Sequence, residues 1–126
     1  MSDDRRKFPR FNVHRLNELK AKIDRHRTFE QVITLGIGGC GFYGTLESKH
    51  FLTPVKRVFS IFEFEGVTSQ PVEIQGNLLY ARDIQLNDEK IVFFGVEFIE
   101  AHQKLIEPIV QKLEALKEAG KVNLAP

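Results

Sequence analysis

Residues 71–99, PVEIQGNLLYARDIQLNDEKIVFFGVEFI, decide the architecture. Two stretches inside them, Pro71 to Asp83 and Lys90 to Ile99, are dense in β-branched, aromatic and aliphatic residues, the side chains that suit a pleated, half-buried surface. They are separated by the loop Leu86-Asn87-Asp88. A stretch of the same character, Lys56 to Glu65 (KRVFSIFEFE), precedes them across a glycine-containing loop. Further upstream, Phe29 to Leu35 reads as a strand that runs into the glycine-rich turn Gly36-Ile37-Gly38-Gly39, and Cys40 to Gly44 leaves that turn as another. Beyond Ile99 the period changes. Leu105, Ile109, Leu113 and Leu116 recur at helical spacing, which predicts an amphipathic helix packed on the strands. Because proline is accommodated only near a helix start, Pro108 puts the regular helix at about Ile106 to Glu118, and Gly120 supplies its stop.

Five or six short strands with regular turn punctuation predict an antiparallel sheet or small barrel. Residues 13–25 admit two conformations: Val13, Leu16, Leu19 and Ile23 can line a helix, while Leu19, Ala21 and Ile23 alternating with Lys20 and Lys22 can form a half-buried strand. The first ten residues have no periodicity, and Pro9 biases Phe8 towards an extended conformation. The expected organisation is therefore a basic extended arm over residues 1–12, a barrel with its helix over 13–120, and a short tail over 121–126.

A chain of 126 residues, 42% hydrophobic and 28% charged, fits one globular domain with a real core. Its start, MSDDRRKFPRF, carries no apolar signal-peptide core, and no later run is long enough to span a bilayer, so a cytoplasmic protein without membrane insertion is expected. The single cysteine, Cys40, cannot form an internal disulfide, and His14, His26, His50 and His102 show no paired metal-ligand spacing. The net charge of +1 hides an asymmetry: residues 1–28 hold nine Lys and Arg against four acidic residues, and the remainder is acidic. Either an anionic ligand is held where the two regions meet, or the basic segment is a solvated tail.

Catalytic signatures are missing. Gly36-Ile37-Gly38-Gly39-Cys40-Gly41 matches the letters of G-x-G-x-x-G, but a dinucleotide loop must open a helix, and FYGTLESKHFLTP has another glycine, a proline and no helical stripe. No nucleophile elbow, P-loop, HExxH or kinase motif occurs, and Cys40 reads as a small apolar residue of a β-turn. The expectation is a binding module, not an enzyme. A nucleic-acid-binding barrel is disfavoured by the acidic body and by the lack of an aromatic stacking motif.

Arg6 and Arg10 stand four residues apart on an arm stiffened by Pro9, with Arg5 alongside, and their planar forks suit phosphate oxygens or base edges. Together with the rest of the chain this pattern resembles the PilZ domain family. The resemblance lies in the RxxxR arm within DRRKFPRF, in a D/N-x-S-x-x-G turn aligned with Thr34-Leu35-Gly36-Ile37-Gly38-Gly39, in the strand IQGNLLYAR, and in the last strand FFGVEFIE leading into a helix. It implies a mostly β fold, a six-stranded antiparallel barrel with a C-terminal helix. It also implies a non-catalytic effector that binds cyclic di-GMP, often as an intercalated dimer, with no other cofactor. The implied ligand contacts are Arg5, Arg6 and Arg10, with Gly39 shaping the turn and Thr34 and Gly36 standing where the family has Asp or Asn and Ser. Threonine cannot reproduce a carboxylate or amide, and Gly36 offers no hydroxyl. An alternative is thus a PilZ-like adaptor for a protein partner, in motility or pilus assembly, that no longer takes the nucleotide.

Overall fold

A computed structural model describes residues 9–23, 31–44 and 57–125. Among these residues seven strands form one antiparallel sheet: β1 (Arg10–Asn12), β2 (Leu19–Ile23), β3 (Gln31–Gly36), β4 (Gly39–Gly44), β5 (Arg57–Phe64), β6 (Val72–Leu86) and β7 (Glu89–Phe98). Their spatial order is β1-β3-β4-β7-β6-β5-β2. The sheet curls into a half-barrel whose two edges are β1 and β2, which corrects the expected six-stranded barrel. The additional strand is β1, cut from the end of what reads as an arm. Three residues are too few to display an alternation, and β1 is a strand only because β3 pairs it, through Arg10 with Gly36, Phe11 with Leu35 and Asn12 with Thr34.

Of the two conformations open to residues 13–25, the strand wins for Leu19–Ile23: Leu19 and Ala21 are buried between exposed or half-exposed lysines, and β2 pairs with β5. The β6–β7 hairpin closes through Asn87 and Asp88, both at positive φ (52° and 67°), the backbone of a two-residue turn that matches strand twist and that Asn and Asp tolerate.

Period-two alternation fills the concave face. Val58, Phe62 and Phe64 from β5, Ile74 and Leu78 from β6, and Val92, Phe94, Val96 and Phe98 from β7 are all buried. Phe42 and Phe94 stack with centroids 4.9 Å apart, and Phe62 meets Phe98 edge to face. Among the described residues one polar side chain interrupts this face. Ser60 is fully buried, and its Oγ has no hydrogen-bond partner among the described residues. An unsatisfied buried hydroxyl costs about 1–3 kcal/mol, so Ser60→Ala should stabilise the fold by about 1 kcal/mol, a rise of roughly 3–6 °C in a thermal melt. A lower melting temperature would mean that the hydroxyl is satisfied.

The helix α1 (Gln103–Glu118) follows a 3-10 turn at Glu100–His102 and lies against β6 and β3. It starts three residues ahead of its expected position, with Pro108 inside. Two bonds to one residue of β6 begin the turn early: Ile99 N–H donates to the Gln75 carbonyl at 2.9 Å, and Gln75 N–H donates to Nδ1 of His102 at 3.0 Å. Pro108 forfeits the bond to the Lys104 carbonyl, but both residues are exposed, so water can take that carbonyl. The buried stripe is Ile106, Ile109, Val110 and Leu113, whereas Leu105, expected in it, is 48% exposed.

After the helix the chain returns to β1. Asn12 N–H donates to the Asn123 carbonyl and Ala125 N–H to the Arg10 carbonyl, both at 2.7 Å, while Leu124 bridges Phe11. The edge of β1 away from β3 is thereby covered.

Candidate functional site

The convex face of the sheet carries the residues that the core leaves over. Where Phe11, Leu35, Cys40 and Val96 point inward, their neighbours Arg10, Gly36, Gly39 and Glu97 face out. Two glycines let Arg10 lie down on this surface. A Cβ on Gly36 would strike the carbonyl oxygen of Pro9 and come within 3.3 Å of Cγ of Arg10. A Cβ on Gly39 would strike the Val96 carbonyl and come within 2.6 Å of an Arg10 guanidinium nitrogen. The side chain of Arg10 therefore runs along the sheet from Gly36 to Gly39. Neither glycine has positive φ; close approach is what requires them.

Thr34 belongs to the same face. It is registered with Asn12 on one side and Gly41 on the other, and its hydroxyl lies 2.9 Å from where a Gly41 Cβ would stand. Next to it is an aromatic tier. Phe93 packs edge-on to Tyr43 (centroids 5.7 Å apart) and stacks with Tyr80 (6.1 Å), and the Arg82 guanidinium sits 5.1 Å from the Tyr80 ring centre. A register shift between Leu78 and Tyr80 turns the Tyr80 ring onto Gly95. On the far side of Gly39, Glu97 is paired across the strands with Asn77, whose Oδ1 accepts from Nε of Arg57 at 2.9 Å.

Cys40, adjacent to Gly39, faces the other way. Burial pushes its thiol up to about 12, with the Arg10 charge pulling in the opposite direction, so it stays protonated at neutral pH and is poorly suited to act as a nucleophile.

No family model matches the sequence, and no curated protein matches it significantly. Solved structures do. The complex of K. pneumonia MrkH with c-di-GMP superposes with a TM-score of 0.75 at 19% identity, covering 94% of this chain and 56% of MrkH. The PilZ domain of Escherichia coli YcgR, solved with c-di-GMP, superposes with a TM-score of 0.65 at 15% identity over 94% of this chain and 99% of that domain. The fold is that of a PilZ domain. Bacillus subtilis MotI/DgrA, an inhibitor of motility, has the same fold in the matched region, with a TM-score of 0.60 at 14% identity over 88% of this chain and 53% of its own. The chain thus spans about half the length of MrkH and MotI, and nearly all of the isolated YcgR domain.

On this PilZ fold, four of the six residues singled out from the sequence, Arg10, Thr34, Gly36 and Gly39, share one face within two neighbouring strand pairings. Arg5 and Arg6 lie outside the described residues. Glu97, Asn77, Arg57 and the aromatic tier were not singled out. For β7 the signal was there: in FFGVEF, the same alternation that buries Phe94, Val96 and Phe98 turns Phe93, Gly95 and Glu97 outward. Arg57 and Asn77 needed the register of β5 on β6, which no local pattern encodes. No helix among the described residues is long and apolar enough to cross a membrane.

Proposed function

We propose that the chain is a non-catalytic cyclic di-GMP effector that takes the nucleotide on the convex face, between the basic N-terminal segment and the β3–β4 turn. The observation that carries this is the posture of Arg10. Its guanidinium already lies over Gly39, on the face that also holds Thr34, so its ordering cost is partly met before any ligand arrives. Arg6 and Arg5 precede it by four and five residues and would supply the remaining forks for two phosphates and the Hoogsteen edge of guanine. Tyr80 and Phe93, both partly exposed, lie on the same face beside Thr34 and Gly41. The likeness to MrkH and to the YcgR PilZ domain, both solved with c-di-GMP, supports the assignment. Ligand capture would fold the arginine segment onto the barrel and alter the surface offered to a protein partner.

Calorimetric titration with cyclic di-GMP, with GTP and cyclic AMP as controls, tests it; saturable binding of the dinucleotide alone is expected. Thr34→Asp should tighten that binding by about 1–2 kcal/mol, roughly 5- to 30-fold, since a carboxylate accepts stronger hydrogen bonds than the hydroxyl it replaces. The second reading is a nucleotide-free adaptor, favoured by Thr34 and Gly36 in place of an acidic or amide residue and a serine. A parent chain and a Thr34→Asp variant that are both folded, and both silent in the titration, would establish that reading instead.

A further inference from the structure

Glu97 sits where a carboxylate needs a reason. It faces outward in direct register with Gly39, the glycine over which the Arg10 guanidinium lies, and so stands one strand, about 5 Å, from that site. It is exposed, and its side chain makes no hydrogen bond or ion pair with the described residues. None of the residues of β1, β3 or β4 is acidic, whereas β7 brings Glu97 into register with Gly39 at the start of β4. Across β7 its partner is Asn77. Because Oδ1 of Asn77 accepts from Arg57, the amide hydrogens of Asn77 are left as donors beside the Glu97 carboxylate.

A negative group on a face that binds two phosphodiesters opposes binding unless it meets hydrogen-bond donors. Guanine has them. Its N1–H and N2–H2 lie next to the O6 and N7 acceptors that an arginine fork bridges. A base held by Arg10 through O6 and N7 therefore turns its donor edge towards the adjoining strand. We infer that Glu97 reads the Watson–Crick edge of the guanine by accepting from N1–H and N2–H2, supplying from β7 the carboxylate that Thr34 does not supply from β3. The inference rests on the cyclic di-GMP reading above, and it sets the specificity of the site: adenine presents an acceptor at N1 and a donor at N6, so Glu97 faces it with a lone pair against a lone pair.

The test is calorimetric titration of the parent, Glu97→Ala and Glu97→Gln with cyclic di-GMP and with its adenine counterpart, cyclic di-AMP, each protein checked by thermal melt. The side chain is exposed, so the melts should agree within about 2 °C. Both variants should bind cyclic di-GMP about 10- to 100-fold more weakly, while cyclic di-AMP is unchanged or tighter, so that discrimination falls by at least the same factor. Adding Thr34→Asp to Glu97→Ala should recover part of the loss. Equal affinities in parent and variants would overturn the role of Glu97 and leave the cyclic di-GMP reading standing. Tightening of both dinucleotides alike would also overturn it, because the carboxylate would then only repel phosphates. A folded parent that binds neither dinucleotide overturns the underlying reading and this inference with it.

Discussion

Arg10→Ala is expected to abolish measurable cyclic di-GMP binding while leaving the thermal melt within a few degrees. The side chain lies on the convex surface, over Gly36 and Gly39, and contributes nothing to the phenylalanine core on the opposite face. Its backbone bonds to β3 and to Ala125 do not depend on the guanidinium. What is lost is a bidentate, charge-assisted contact of about 3–4 kcal/mol, more than 100-fold in affinity. Arg10→Lys separates two uses of the group. A lysine would retain most of the affinity if only phosphate charge is being met, and would lose most of it if the planar fork bridges O6 and N7 of guanine. Undiminished binding by Arg10→Ala would remove the ligand from this face altogether.

The second large effect is expected at Gly39. Even a methyl group there meets the Val96 carbonyl, which belongs to a paired strand and cannot swing aside as a flexible side chain would. Gly39→Ala should therefore destabilise the fold by about 2–3 kcal/mol, roughly 6–15 °C in the melt, and Gly39→Val by more. The same methyl group enters the space of the Arg10 guanidinium, so any folded fraction should also bind cyclic di-GMP poorly. A Gly39→Ala protein with the parent's melting temperature would show that β4 and β7 can separate at this point. Gly36→Ser, which would bring the turn nearer the family pattern, meets the same difficulty through the Pro9 carbonyl. The serine is excluded by the chain crossing above it, and the acceptor it would have offered has to come from elsewhere on the face.

The long strands and the helix were legible because their burial is periodic. Phe94, Val96 and Phe98 alternate with Phe93, Gly95 and Glu97, and any reading of FFGVEF finds a strand there. The helix boundary was misplaced because its early start depends on Gln75, 27 residues distant from His102 in sequence. The choice of Leu105 over Ile106 was a phase error of one residue, which only the position of the sheet could settle. Of the candidate site, Arg10, Thr34, Gly36 and Gly39 were visible through a family pattern. Glu97 was hidden because its partners, Gly39 and Asn77, lie on different strands, and side-chain alternation reveals a face without revealing its neighbours.

The return of the chain to β1 gives the site a reporter. Ala125 N–H is bonded to the carbonyl of Arg10 itself, and Asn12 N–H to the carbonyl of Asn123, so these two amides share one opening event. A ligand that steadies the β1 backbone is expected to slow solvent exchange at residue 125. Occupancy of the convex face can therefore be followed by amide exchange at a residue that need not touch the ligand, and a label or fusion attached after Ala125 would report on the site and disturb it at once.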